Sequence, residues 1–420
     1  MSDGRKIIRD PIHGDIKLEG LFLDLLETPE IQRLYNIKQL GLAHLVFPGA
    51  HHTRLEHSLG TYYMASKAAE ILSLDKNENK IITCAALLHD IGHGPFSHTL
   101  ESILKNALDV DHVDLTEKLI LGEYEIFDSD EKEFVASPDV HEILDKNDVD
   151  QKELMAIIRG ATQKKPYLSQ LLNSAIDVDQ LDYLIRDAYY TGVAYGMIDT
   201  ERFLQTLVVH KNNLAVKRKG VGVAENILMA RALMYSSVYF HKTVRIAELM
   251  LSKAIEMLPA AEPFEFFKMT DSELIENLKR MGPFQHEIVT CLKYRKLFKQ
   301  AYTVPSSNLD KQGVEIVKRL EDAKFRRKKE QELEEALGIP EGHIIIDVPY
   351  QELHRAEPRI NQTDITIIDE NETKTLDEFT PVAGAIRSRI VPDWAIMIIT
   401  DEKFKDLISK KAEKVLYKIV

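Results

Sequence analysis

Cysteine is almost missing from this chain: 420 residues hold only Cys84 and Cys291. The pair makes neither a disulfide framework nor a metal-type spacing, so both read as buried or neutral thiols of a reducing compartment. Long apolar runs are missing too. Nothing reaches the roughly eighteen consecutive apolar residues of a membrane span, and no apolar run follows Met1-Ser-Asp-Gly-Arg-Lys, so neither a membrane helix nor a secretory signal is expected. The default expectation is a cytoplasmic protein. Basic excess is absent: 54 Lys and Arg face 67 Asp and Glu, a net charge of -13. Such a field repels polyanions, which argues against a dedicated nucleic-acid binder while leaving room for a local basic pocket. There is no internal repeat and no low-complexity linker. What remains, 44% hydrophobic and 29% charged residues, is ordinary globular composition, long enough for two or three domains and a large core.

The densest chemistry lies in Cys84-Ala-Ala-Leu-Leu-His-Asp-Ile-Gly-His-Gly-Pro-Phe-Ser-His98. An apolar helix ends there on the adjacent pair His89 and Asp90, and His93 and His98 follow in a Gly-Pro turn. Three imidazoles and a carboxylate are too much polar chemistry for a buried helix end without a ligand or partner. Imidazole beside carboxylate suits a divalent metal of intermediate softness. The bland alternative is a capped helix end with surface histidines.

The spacing elsewhere predicts a mainly α chain with small β-hairpins. Residues 5–19 read as two strands around Asp10-Pro-Ile-His-Gly14, and 21–40 take helical periodicity, with Thr28-Pro29 starting the second half. After a Pro-Gly turn, His51, His52, Arg54 and His57 open a helix that runs past Ala69. Residues 79–91 form the next helix, 99–108 resume one, and Asp111-His112 begins another. Residues 168–190 read as one helix carrying Asp177, Asp179, Asp182 and Asp187; an inward Asp179 would be costly unless it met a cation. A hairpin insertion is expected near 200–225, then one long helix over 224–258. From about residue 300 the texture becomes a smaller α+β region, with a charged helix over 311–337, strands at 344–348, 365–368 and 395–399, and a closing helix at 402–416.

His57, His89, Asp90 and Asp179 together offer two imidazole nitrogens and two carboxylates, a donor set that suits a mid-row divalent ion. That order, with Asp10-Pro-Ile-His-Gly, Gln32-Arg-Leu, Lys38-Gln-Leu-Gly, Phe47-Pro-Gly-Ala, Arg54-Leu-Glu-His-Ser-Leu-Gly, His89-Asp-Ile-Gly-His-Gly-Pro-Phe-Ser-His, Asp177-Val-Asp-Gln-Leu-Asp-Tyr-Leu-Ile-Arg-Asp and Tyr239-Phe-His-Lys, resembles the HD-domain metal-dependent phosphohydrolases. Within them it resembles the deoxynucleoside triphosphate triphosphohydrolase branch. The likeness covers about residues 5–300. It implies an HD-domain helical core over 1–300, and the α+β C-terminal region read from the texture of 301–420 matches less clearly. The implied reaction is attack of water on the α-phosphorus of a dNTP, releasing deoxynucleoside and tripolyphosphate.

The resemblance also implies roles. His57, His89, Asp90 and Asp179 would hold the metal, whether Mg, Mn, Fe, Ni or Zn. His112 would protonate the leaving 5′ oxygen, His93 and His98 would contact the α-phosphate, and Glu101 would support the acid. Arg54, Arg231 and Lys242 would hold the triphosphate. Gln39 and Leu40 would read the sugar, excluding a 2′-hydroxyl, with Tyr183, Asp187 and Tyr239 nearby. Gln180 stands where some relatives carry a phosphate-binding lysine. A guanine nucleotide effector, GTP or dGTP, would bind between subunits of a homo-oligomer (a dimer or tetramer) at Lys6, Glu27, Gln32 and Arg295. Tyr35 there replaces an arginine and leaves the effector's identity open. Two other readings compete: an HD enzyme for another phosphoester, such as a nucleoside monophosphate or cyclic nucleotide, and a non-catalytic nucleotide sensor.

Overall fold

The computed structural model describes residues 4–96, 110–127, 131, 133–135, 137–258, 263–349, 363–370, 372–389 and 393–416. His98, Glu101 and the helix expected over 99–108 lie outside them. Strands β1 (Arg5–Asp10) and β2 (Gly14–Glu19) form the expected antiparallel hairpin. Its turn is fixed by Asp10 Oδ1, which accepts from the amides of Ile12 and His13 at 2.9 and 2.8 Å.

The helix expected over 21–40 is broken into Leu21–Leu26, Pro29–Arg33 and a tight turn at Leu34–Asn36. Pro29 forces Thr28 into extended backbone (ψ 147°), which ends the first helix. Residues 37–40 leave the helical path altogether: Lys38 bridges Thr53, and the Arg54 amide donates to the Ile37 carbonyl at 2.9 Å. This departure lays Gln39 and Leu40 beside the segment that opens the next helix.

That helix, Arg54–Ile71, and its partner, Lys76–Leu88, start on capping boxes at Thr53 and Asp75 and pack as an antiparallel pair. The helix expected over 168–190 is two, Pro166–Leu172 and Val178–Thr191. Apolar periodicity runs through the break, but Asp177 stops it chemically. Its carboxylate accepts from the amides of Ser174 and Gln180, so a new helix must begin there. The expected 224–258 helix is likewise Val221–Met234, a widened turn at Tyr235–Tyr239, and Lys242–Glu256 capped by His241. The charged 311–337 stretch splits into Lys311–Leu320 and Ala323–Leu337, with Asp322 capping the second.

Strands β3 (Leu207–His210) and β4 (Asn213–Lys217) form the insertion hairpin. It is joined in parallel by β7 (Thr366–Asp369), which pairs in turn with β8 (Glu372–Thr375). The other sheet has β9 (Trp394–Thr400) between β5 (Lys299–Pro305) and β6 (Ile344–Asp347). β9 is buried throughout. Its Met397 and Ile399 face helices Lys242–Glu256, Asp271–Met281 and Pro283–Lys293, while Ile396 and Ile398 face Lys311–Leu320, Ala323–Leu337 and Lys405–Leu416. The sheet is thus a wall between two apolar cores, built by the period-two alternation of side chains.

One buried acid gives the fold a pH dependence. Glu30, 4% exposed, leaves Oε2 without a hydrogen bond. Burial first, then Asp139, pushes its carboxyl from 4.5 to about 7, against the pull of backbone and Thr28 hydrogen bonds. The folded chain therefore keeps a proton that the unfolded chain gives up. Stability linked to Glu30 is complete at low pH and falls as pH rises from about 4.5 to about 7. Glu30→Gln should be close to neutral near pH ~4 and stabilising by up to about 3 kcal/mol near pH ~8. Urea unfolding at both pH values checks this.

Candidate metal centre and active site

The helix pair and the Val178–Thr191 helix bring four side chains from three elements to one point. His57 stands on the first turn of its helix, and His89 and Asp90 close the Lys76–Leu88 helix. Asp179 opens the Val178–Thr191 helix. His57 Nε2 is 3.1 Å from Asp179 Oδ1 and 3.9 Å from Asp90 Oδ2. His89 Nε2 is 3.2 Å from Asp90 Oδ1 and 3.8 Å from Asp179 Oδ1. Donor atoms of His57, His89 and Asp90 lie within 4.8 Å of one another.

The donor geometry asks for a cation. His89 Nδ1 donates to the Ala86 carbonyl at 2.9 Å, which leaves Nε2 as the ring's ligand atom. That nitrogen is buried without a hydrogen-bond partner, 3.2 Å from Asp90 Oδ1. A divalent ion between nitrogen and carboxylate would satisfy both. Two imidazoles and two carboxylates are also the right donor set for such an ion. His57 tells the same story. Burial would lower its pKa, but Asp179 on one ring nitrogen and Asp182 on the other raise it to about 10. In the metal-free chain a proton there does part of the work of a cation.

Several supporting residues were not assigned from sequence. Asp182 Oδ2 takes the Nδ1–H of His57 at 2.8 Å and fixes its tautomer. The same carboxylate meets His13 Nε2 at 2.6 Å and both Nε and Nη2 of Arg186 at 2.9 Å. Burial would push Asp182 up, but Arg186, His13 and His57 hold it well below the usual carboxylate range. Gly60 lets this carboxylate pass, since a Cβ there would sit 1.9 Å from Asp182 Oδ1. Arg33 clamps the turn after Asp90, donating to the carbonyls of Ile91 and His93 at 3.0 and 2.7 Å and to those of Phe267 and Met269. Asp271 accepts from the amides of Lys38 and Phe96, tying the Gln39 segment to that turn. The signal in sequence was the i,i+4 pair Asp182 and Arg186 on a helix face flanked by Leu181 and Leu184.

On the Asp90 side, His93 and His112 stack, with ring centres 3.9 Å apart and planes at 12°. His93 Nε2 is 3.4 Å from Asp90 Oδ1, and Arg54 Nη1 donates to Asp90 Oδ2 at 2.6 Å. Burial, then Arg54 and His112, keep His93 neutral, its pKa well below the ordinary value. Burial works against the Asp90 anion, but His89, His93 and Arg54 hold its pKa well down.

Other sequence candidates take varied places. Tyr183 lies 6.4 Å from His57 and 6.0 Å from Tyr239, ring centre to ring centre. The Tyr239 hydroxyl donates to Asp187 Oδ2, and His52 Nε2 meets Asp187 Oδ1, both at 2.7 Å. Buried Gln39 keeps its Oε1 without a hydrogen bond, next to buried Leu40. Arg231 is buried, with Nη1 donating to Ala175 O at 2.7 Å and to Gln180 Oε1 at 2.9 Å. Lys242 is exposed, its ammonium 5.7 Å from the Trp394 ring centre rather than against the cluster. Lys6, Glu27, Gln32 and Arg295 are all on the surface, where Gln32 donates to Leu26 O and Arg295 to Leu45 O. Among the described residues no helix is long and apolar enough to cross a membrane.

Comparison with known proteins agrees with this architecture. Residues 54–187 match the HD domain and residues 198–418 the HD associated region. An uncharacterized protein of Methanocaldococcus jannaschii is 32% identical over 99% of this chain and 84% of its own length. The deoxynucleoside triphosphate triphosphohydrolase SAMHD1 of Danio rerio is 32% identical over 59% of this chain and 44% of its own length, so the match spans under half of that relative. A hypothetical protein from Aquifex aeolicus superposes with a TM-score of 0.73 at 28% identity, covering 97% of this chain and all (100%) of the other. A phosphohydrolase from Bacteroides thetaiotaomicron superposes with a TM-score of 0.71 at 25% identity, over 94% of this chain and 100% of that one. With its His–Asp cluster inside the matched HD segment and the associated region over residues 198–418, this chain belongs to the HD-domain metal-dependent phosphohydrolases.

Proposed function

We propose that this protein hydrolyses deoxynucleoside triphosphates to deoxynucleoside and tripolyphosphate with a divalent ion held by His57, His89, Asp90 and Asp179. The observation that carries the reading is the convergence of these four donors with the stacked His93–His112 pair on the Asp90 side. The bound ion supplies Lewis acidity toward a phosphate oxygen. Water adds at the α-phosphorus, the bond to the 5′ oxygen breaks, and His112 gives that oxygen its proton. Neutral His93 donates an N–H to the α-phosphate, with His98 and Glu101 assigned by resemblance alone. Arg54 meets the phosphates beside Asp90, and Arg231 and Lys242 are assigned to the triphosphate by resemblance alone. The unpartnered Oε1 of Gln39, backed by Leu40, faces the sugar, and Tyr183, Tyr239 and Asp187 border it.

The dNTP class is supported by relatives in Danio rerio and Bos taurus that carry the name deoxynucleoside triphosphate triphosphohydrolase. Residues 1–300 carry the catalysis in this reading, with 301–420 as the α+β region. The surface residues Lys6, Glu27, Gln32 and Arg295 form the place for a guanine nucleotide between subunits of a homo-oligomer.

One observation favours a second reading. Lys242 is turned to Trp394, and Gln180 stands beside Arg231 without a charge, so fewer cations serve a triphosphate. A monophosphate would need fewer. Product analysis with dATP, ATP and dAMP, several metals, and GTP present or absent separates the two. The expected result is tripolyphosphate and deoxyadenosine from dATP, with ATP slower by about 10- to 100-fold. Phosphate release from dAMP alone would move the function to the second reading, and equal rates on dATP and ATP would remove Gln39 and Leu40 as readers of the sugar.

A further inference from the structure

A second set of donors meets far along the chain, where the Pro283–Lys293 helix faces the β5–β9–β6 sheet. His343 immediately precedes β6 and Asp401 immediately follows β9. Because Ile344 pairs with Thr400 in antiparallel register, the two residues emerge side by side from one end of the sheet. The Thr400 hydroxyl, donating to the His343 carbonyl at 2.7 Å, locks that end. Glu287 reaches over from the helix. One ligand atom from each of Glu287, His343 and Asp401 falls within 4.8 Å of the others.

The imidazole is the telling member. His343 is 5% exposed and walled by Phe284, Phe298 and Phe404, at ring-centre distances of 5.7, 5.9 and 6.3 Å. Its Nδ1 is buried with no hydrogen-bond partner, and its Nε2 stands 3.8 Å from Glu287 Oε2, beyond hydrogen-bond reach. An imidazole buried among phenyl rings with Nδ1 left unbonded costs free energy. The carboxylates sit at the rim: Glu287 is exposed, and Asp401 accepts from the Lys403 amide at 3.1 Å and is met by the exposed Lys403 ammonium at 3.2 Å.

We propose that Glu287, His343 and Asp401 hold a divalent cation of borderline softness, best matched by zinc, that ties the Pro283–Lys293 helix to the sheet. One imidazole and two carboxylates suit zinc, with a remaining position for water at the open rim. Glu287 needs only a side-chain rotation to close on the ion, and Lys403 leaves Asp401 for solvent. The site is independent of the His57–His89–Asp90–Asp179 cluster and of any activity assigned to it.

The test uses the full chain, stripped of metal by chelation and then given zinc alone, with content read by elemental analysis after gel filtration. Because His343→Ala empties a buried aromatic box and can unfold the end of the sheet, the rim variants Glu287→Gln and Asp401→Asn carry the test. Wild type should retain one equivalent of zinc more than either variant. In an Asp179→Ala background, adding Glu287→Gln should remove the last equivalent. Zinc should also raise the melting temperature of Asp179→Ala and not that of the double variant. Equal zinc content in wild type and both rim variants would overturn the site, whatever the fate of the catalytic reading.

Discussion

Asp179→Ala should strip the divalent ion from the His–Asp cluster and lower hydrolysis by about a thousandfold or more. Asp179 Oδ1 is the oxygen that reaches both imidazoles, 3.1 Å from His57 Nε2 and 3.8 Å from His89 Nε2. Without it the site keeps two nitrogens and one carboxylate, and that carboxylate is already charge-paired to Arg54 at 2.6 Å. Affinity for a hard or borderline ion falls with each lost anionic oxygen. The fold should survive the change. Asp179 lies in the first turn of a helix whose cap is Asp177, and its side chain is 17% exposed, so truncation opens no core cavity. His57 would lose the carboxylate on Nε2 while keeping Asp182 on Nδ1, so its raised pKa should drop. Metal content by elemental analysis, beside a circular dichroism melt, reads both halves. A variant with full metal content would remove Asp179 from the ligand set.

The adjacent His89 and Asp90 were legible because so much polar chemistry at an apolar helix end has few cheap explanations. Asp179 was legible as an acid on the apolar side of a helix. Asp182 was not, since its i,i+4 spacing from Arg186 did not set it apart from the other carboxylates of an acidic run. Its role rests on His13 and His57, 169 and 125 positions away in the chain. The breaks at 173–177 and 235–241 escaped for another reason. Apolar spacing continued across both, and local caps at Asp177 and His241 overruled it. β5 was missed because register shifts at Gln300/Tyr302 and Val304/Pro305 spoil the alternation by which a strand is read. β7 was visible as an apolar run, but its partner β4 lies in the distant insertion hairpin, and no local pattern announces a parallel pairing.

His112→Ala should cut hydrolysis by about 10²- to 10⁴-fold while leaving the metal in place. The residue opens the His112–Ile120 helix, whose cap is the Asp111 carboxylate bonded to the amides of Val113 and Asp114, so the helix start does not depend on the imidazole. Its backbone is pinned to the metal-bearing turn. A Cβ on Gly92 would come within 2.2 Å of the His112 carbonyl, and Thr116 Oγ1 bridges the Gly92 amide and the His89 carbonyl. The ring is therefore carried at fixed height above Asp90, stacked on His93, where a leaving oxygen of a phosphate held by the cluster would need its proton. Truncation to alanine removes that proton and the stack but none of the four proposed ligands. The readouts must be taken together. Unchanged turnover would dismiss His112 as the acid. Loss of metal along with activity would instead make it a ligand in the group Asp90–His93–His112. Retained metal with a dNTP whose bridging 5′ oxygen is replaced by sulfur cleaved nearly as fast as by wild type would identify the missing step as protonation of the 5′ leaving atom, since a thiolate leaves with far less need of an acid.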